Sequence, residues 1–404
     1  MSGRIVSRPS RTVGALSPLA CLLLAAGALA GEAAPPAGDN GAAGRVRQGL
    51  VLATTSSADR PVEVLKEDGK PFDVSYKLTL KGLALHARHY SLRLEGGAFR
   101  AERIEKHLSA AFNKSGGQMS LGACLSPAGL AQEGAQIVWF GPEGGRRQFA
   151  LVQEGKEVLL SIRTSEGNKP VAFKLHGLAE AKPVHLLVTV SPEAVVAYAD
   201  GREVARHPGI KGDFSNWEPG LLVFGNDDTG ESPWKGRIDR LTLHRRALKA
   251  DEARALAESV GAEMKKLSSL PPLRLKATLL RKSAYAAPRT ITYRSVMAVY
   301  EYRVEQVLAG KYEEKEIRVA HWMYIDFILL TNTQREAGKS YELAVEPMKF
   351  NAQVGNITEY DSLKKANNED LDMEKFYDCG PIEPLPAKKE VPPGEGEKPA
   401  GPAE

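Results

Sequence analysis

The sequence predicts a mainly β protein: an antiparallel β-sandwich of the jelly-roll kind over residues 45–267, then a small β-rich, barrel-like domain over residues 268–386. Three observations carry this. Short strand-like runs alternate with turn residues from Arg45 to Leu267 at sandwich spacing. Asp200-Gly201 joins two of them as a hairpin. After the stiff pair Pro271-Pro272 a different strand pattern begins.

At the N-terminus, Arg4, Arg8 and Arg11 precede the apolar run Leu16 to Leu29, and Ala28-Leu29-Ala30 offers a small-x-small cleavage site before Gly31. That order reads as a signal peptide over 1–30, so the expectation is a periplasmic or secreted protein, soluble after cleavage. Cys21 raises lipid attachment as the alternative, although the apolar run continues past it as Leu22-Leu23-Leu24. Residues 31–44 and 387–404 are rich in Ala, Pro, Gly, Glu and Lys and poor in large apolar side chains. They cannot offset their ordering entropy and are expected to be a disordered linker and tail.

Within the sandwich region the strand-like runs are Ala135 to Phe140, Arg147 to Val152, Glu157 to Thr164, Val184 to Val190, Ala194 to Ala199, Leu221 to Phe224 and Arg237 to His244. Asp200-Gly201 supplies the two positive-φ positions of a type I′ turn between Val195–Ala199 and Arg202–Ala205. From Ala250 to Lys266 the apolar residues Ala253, Leu256, Ala257 and Val260 fall at helical spacing, which predicts a helix laid on the sandwich by one face. Beyond the Pro-Pro joint, runs at Leu273 to Leu280, Ser295 to Leu308, Glu316 to Trp322 and Ser340 to Glu346 are divided by Gly-Lys turns and suggest a small barrel.

The chain has 404 residues, 43% hydrophobic and 26% charged, enough for two cores. Its net charge of +4 is spread without a basic stripe, which argues against nucleic acid as a partner. No stretch after the N-terminal one approaches the roughly 18–20 apolar residues of a bilayer span; Met323 to Leu330 is short and contains Asp326. Cys124 and Cys379 lack any metal-ligand spacing. They are read either as a disulfide tying the tail to the sandwich or, for Cys124, as a buried strand residue.

Four strings follow one another in order: Leu186-Leu187-Val188-Thr189-Val190, Tyr198-Ala199-Asp200-Gly201-Arg202-Glu203-Val204, Trp234-Lys235-Gly236-Arg237-Ile238-Asp239, and Arg246-Ala247-Leu248 with Glu252. In this order they resemble the laminin-G-like branch of the concanavalin A-like lectin/glucanase superfamily, over about half the chain. The resemblance implies a sheet strand, a hairpin, the last strand and the helix after it. It departs at Lys249, where the family usually places Ser or Thr, leaving the helix without an ordinary N-cap. The segment from Lys211 to Gly230 is similar to modules of exported bacterial proteins, and the C-terminal strings Thr292-Tyr293-Arg294 and Val319-Ala320-His321-Trp322 to domains of unassigned function in cell-envelope proteins.

Glucanases of that superfamily carry E-x-D-x-E on one strand face, and the sandwich region has no such triplet. The nearest string, Asp370-Leu371-Asp372-Met373-Glu374, lies near the tail. His86 and His89 lack further ligands at metal spacing and read as an edge-strand pair. Asp213, Asp227 and Asp228 are the candidate Ca²⁺ ligands, with Asn226 as a further oxygen donor, although Asn-Asp-Asp-Thr-Gly is equally good turn chemistry. Trp217 and Trp234 are candidate stacking surfaces for a sugar ring, with Asn226 as a ligand-binding amide; the competing reading puts both indoles in the core. The expected function is a non-catalytic module that binds polysaccharide or a cell-envelope protein through its rim loops. The alternatives are a divergent glycosidase using Asp227 or Asp228 with Glu231, or a periplasmic accessory subunit of an envelope complex.

Overall fold

Hydrophobic alternation with a period of two builds both halves of the chain. The computed structural model describes residues 42–386 except 56, 58–59, 73–75, 168, 268–270 and 364–372. The segment 1–30 expected to be a signal peptide, Cys21, most of the expected linker, the tail after residue 386 and Asp370–Asp372 lie outside the described residues. The chain divides into two units, residues 1–271 with Lys349–Asn356, and residues 272–348 with 357–404.

In chain order the first unit holds helix α1 (Ala42–Val46), strands β1 (Leu50–Thr54), β2 (Val62–Val64), β3 (Leu78–Lys81), β4 (Ala84–His86), β5 (Leu92–Glu95) and β6 (Ala98–Ala101), and helix α2 (Glu105–Asn113). Strands β7 (Met119–Pro127), β8 (Ala135–Gly141), β9 (Phe149–Glu154), β10 (Glu157–Ile162), β11 (Val171–Gly177), β12 (Val184–Val190), β13 (Ala194–Ala199), β14 (Arg202–Pro208), β15 (Leu221–Phe224) and β16 (Lys235–His244) follow, and helix α3 (Ala250–Leu267) closes it. α1 begins inside the segment 31–44 expected to be linker, and Arg45 ties it to α3 through Asp251.

One sheet runs β14-β13-β12-β7-β16-β1-β2, with β5 also on β16 and β4 on β5; the second runs β11-β10-β9-β8-β15-β6-β3. Leu121, Ala123 and Leu125 of β7 and Leu186, Val188 and Val190 of β12 meet Val138 and Phe140 of β8, Phe149 and Leu151 of β9 and Leu222 and Phe224 of β15 in one core. Each such fully buried side chain contributes roughly 1.5–3 kcal/mol over its exposed state. The intervening residues of the first sheet, Cys124, Leu187, Val196 and Tyr198, pack with Leu248, Ala253, Leu256 and Val260, so α3 covers that sheet's outer face.

Local chemistry explains two of these elements. Asp200 and Gly201 both have positive φ, 48° and 78°, the type I′ geometry that matches the strand twist. α3 starts without Ser or Thr because Glu252, at its third position, accepts the Lys249 N–H at 2.8 Å, the reciprocal half of a capping box. Arg246 holds the same carboxylate through two hydrogen bonds of 2.8 Å.

The second unit contains β17 (Leu273–Lys282), β18 (Val296–Ala309), β19 (Glu316–Ile325), β20 (Ile328–Leu329), β21 (Ser340–Pro347), β22 (Thr358–Tyr360) and β23 (Lys375–Asp378). β17, β18, β19, β23 and β21 pair in that order and back to β17, a closed five-stranded ring in which β19 and β23 run parallel. Leu275, Ala277, Leu279, Tyr300, Ile317, Val319, Met323 and Phe376 fill it. On β19 the alternation that buries Ile317, Val319 and Met323 also buries His321. Its Nδ1 lies 2.6 Å from Asp378 and its Nε2 2.9 Å from the Tyr302 hydroxyl, which in turn accepts from Arg335 at 3.0 Å. Every member of this buried chain has a partner, the condition under which a polar core network stabilises. Among the described residues no helix is long and apolar enough to cross a membrane.

Candidate functional site

On β8, Val138 and Phe140 point into the core, so Trp139 points to the other face of the second sheet. Ala150 of β9 and Val223 of β15 stand directly across from it. With Ala98, Val152 and Leu221 they form a small apolar cluster outside the main core. Beside it opens a cleft of about 340 Å³, lined by Gln136, Trp139, Arg147, Arg163, Asp227 and Asp228 among others. Trp139 is 4% exposed and supplies an apolar floor rather than a free stacking face.

The loops set the polar walls. Arg147 comes from the β8–β9 connection, whose Gly144 N–H donates to Asp228 Oδ2 at 2.6 Å. Arg163 follows β10; its main-chain N–H donates to Gln148, its carbonyl accepts the Trp217 indole, and its Nη2 donates to the Asn216 carbonyl at 3.2 Å. The Nε atoms of Arg147 and Arg163 and Oε1 of Gln136 are buried without a hydrogen-bond partner among the described residues. Burial lowers the pKa of Arg147, with the charge of Asp227 acting against it.

The two carboxylates of the cleft are both held by backbone donors of the loops. Asp227 Oδ1 accepts from the Thr229 N–H and hydroxyl, Gly230 N–H and Glu231 N–H at 2.8–3.2 Å. Burial pushes the Asp227 carboxyl up, but these bonds outweigh it and hold the group below the usual carboxylate range. A general acid for glycosidic cleavage needs the opposite shift.

Several expectations need correction. Trp217 is 2% exposed, stacked on Phe214 with ring centres 4.4 Å apart, and Trp234 is fully buried with its Nε1 donating to Gln153 at 2.7 Å. Both indoles are core, because each follows a turn that carries its ring inward and each finds an acceptor there, so no stacking platform forms from them. Asn226 is buried too: its Oδ1 accepts from Asp227 and Ser232 and its Nδ2 donates to Gly230, pinning the loop rather than facing a ligand. Asp213 accepts from the Ser215 hydroxyl and N–H, which hold its pKa low. Among the described residues no three His, Cys, Asp or Glu side chains are grouped to hold a metal ion, so Asp213, Asp227 and Asp228 do not assemble as a Ca²⁺ site. Asp227 and Asp228 do line the cleft. Cys124 and Cys379 are free thiols rather than a disulfide; burial and then the charge of Asp239 push the Cys124 thiol up to about 12.

Sequence reasoning passed over Trp139, Arg147 and Arg163. The parity of Trp139 against Val138 and Phe140 was a usable signal. The two arginines meet because they flank the paired strands β9 and β10, but nothing in their residue type marks them as lining a cleft.

Residues 106–254 match the family model Laminin_G_3, concanavalin A-like lectin/glucanases superfamily. No curated protein sequence matches the chain. Among solved structures, similarity extends to domain 4 of AbnA, a GH43 extracellular arabinanase from Geobacillus stearothermophilus solved with arabinotriose, at 17% identity and TM-score 0.37 over 52% of this chain and 98% of that one. It extends also to the binding domain of botulinum neurotoxin serotype D/C, at 9% identity and TM-score 0.39 over 75% of each chain. Trypanosoma rangeli sialidase in complex with the inhibitor DANA matches at 16% identity and TM-score 0.37, over 52% of this chain and 32% of that chain.

Proposed function

With residues 106–254 belonging to the concanavalin A-like lectin/glucanase superfamily, we infer that the protein is an exported, non-catalytic recognition module that binds polysaccharide through the cleft of its second sheet. One observation carries this reading: a cleft whose apolar floor is Trp139 and whose polar lining includes buried groups without partners among the described residues. Around that one indole the lining is mostly polar, with guanidinium, carboxylate and amide groups that can exchange hydrogen bonds with sugar hydroxyls. A cleft of about 340 Å³ suits a few sugar rings better than a protein partner, which needs a face of about 800 Å². Binding is favoured over hydrolysis because Asp227 and Asp228 accept hydrogen bonds from their own and the neighbouring loop. Export rests on the N-terminal order of Arg4, Arg8 and Arg11, an apolar run and Ala28-Leu29-Ala30.

Affinity electrophoresis of the purified protein through gels holding single polysaccharides tests the reading, with reducing ends assayed in parallel. Retardation by at least one polysaccharide without release of reducing ends is expected. Sustained release, abolished by Asp227→Asn, would instead establish a glycosidase.

A further inference from the structure

We propose that this cleft binds its saccharide through an oxyanion on the sugar, a carboxylate or a sulfate ester, held by Arg147 and Arg163. The inference rests on the cleft being the binding site and adds the chemical class of what it takes.

The other buried arginines show why. Three described arginines are more than nine-tenths buried, Arg163, Arg240 and Arg318. Arg240 is paired with Glu263, and Arg318 grips Asp361 through two bonds of 2.6 and 2.7 Å. Among the described residues Arg163 has no carboxylate within ion-pair distance; its one side-chain bond there goes to a neutral carbonyl, and its Nε–H finds no acceptor. A buried cation without a counter-ion is costly, and proteins keep few of them without a reason.

Arg147, beside Arg163 at the paired ends of β9 and β10, repeats the pattern. It is half-buried, forms no ion pair or hydrogen bond among the described residues, and its Nε–H is likewise unmatched there. Two guanidinium groups with unmatched donors in one cleft are a receptor for a planar or tetrahedral oxyanion, which a guanidinium binds with two parallel N–H···O bonds. Arg146 adds a third cation to the lining, so three guanidiniums stand against the two carboxylates Asp227 and Asp228. Both carboxylates already accept backbone N–H bonds, which disperse part of their charge. Gln136 Oε1, also unmatched, is an acceptor suited to a ring hydroxyl.

The test compares Kd values of the whole protein for oligogalacturonate, its carboxyl-reduced neutral counterpart, chondroitin sulfate and desulfated chondroitin, each at low and at physiological salt. At least one acidic saccharide should bind about tenfold or more tighter than its reduced or desulfated form, and more weakly as salt rises. Preference for the carboxylate or for the sulfate identifies which oxyanion is taken. Arg147→Ala, which breaks no hydrogen bond or ion pair among the described residues, should remove that preference while Tm stays unchanged, and Arg147→Lys should restore it only in part because the fork is lost. Equal binding of charged and neutral forms, or an unchanged preference in Arg147→Ala, overturns the oxyanion assignment while leaving a saccharide module standing. Binding of none of the four, together with no retardation by any polysaccharide, overturns both.

Discussion

The indole Nε1–H of Trp217 donates to the main-chain carbonyl of Arg163 at 2.9 Å, so the residue that looks like a ligand platform in the sequence buttresses from the core the arginine that lines the cleft. Its ring also lies among Phe112, Phe140, Phe149 and Phe214 at centre distances of 4.4–6.0 Å. Trp217→Ala should therefore cost about 3–5 kcal/mol of stability in denaturant unfolding. Trp217→Phe keeps most of the packing but leaves the carbonyl unsatisfied, and should cost about 1–3 kcal/mol. A Trp217→Ala protein as stable as the wild type would contradict the core assignment.

Gly236 sits where the last strand passes Trp234. A Cβ there would stand 2.5 Å from the Trp234 ring and 2.6 Å from the Ser126 carbonyl oxygen. Neither neighbour is a flexible side-chain end, so Gly236→Ala should destabilise by about 1–3 kcal/mol through overpacking. Thermal unfolding measures it, and an unshifted Tm would show that the strand yields.

Stability should fall on mild acidification. Burial lowers His185 and His244 to about 4, against an ordinary value of 6.5. Between those values the unfolded chain takes up protons that the folded chain refuses. The contribution of the two neutral rings is therefore complete above pH 6.5, declines as pH drops and is lost near pH 4. At about 1.4 kcal/mol per pKa unit each ring accounts for up to about 3 kcal/mol. His321 is also lowered, burial outweighing the pull of Asp378, and acts in the same direction. The urea midpoint should drop between pH 6.5 and 5, before most carboxylates titrate; a flat profile over that window would contradict the assignment.

Asp227 accepts four hydrogen bonds from its own loop, a role that needs no metal ion. Adding millimolar Ca²⁺ should leave Tm unchanged, whereas Asp227→Ala should lower it by the equivalent of about 1–2 kcal/mol, with or without Ca²⁺, since four donors lose one acceptor. A Ca²⁺-dependent rise in Tm that Asp227→Ala abolishes would restore a metal role.

The fold was legible because its signals are local. Period-two alternation marks β7, β12 and β16, Asp200-Gly201 dictates its own turn, and Ala253, Leu256 and Val260 declare one face of α3. Even the departure at Lys249 resolves locally through Glu252. The site was not legible in the same way. Acidic and aromatic residues between Asp213 and Trp234 looked like ligand groups, yet turns and core use the same residue types, and only packing separates the uses. Arg147 and Arg163 meet because β9 and β10 pair side by side and bring their ends together, while β23 and its Asp378, which complete the barrel and its buried network, follow a stretch with little strand pattern.

Hydrogen–deuterium exchange with and without saturating acidic oligosaccharide, oligogalacturonate or the chondroitin form that binds, tests the central claim most directly, since it locates the bound ligand without assuming the site. Slowed exchange should concentrate in the segments that carry the lining residues Gly145 to Arg147, Arg163, and Asp227, Asp228 and Ser232. Protection confined to α3 or to residues 272–347, with those three segments unchanged, would contradict the account.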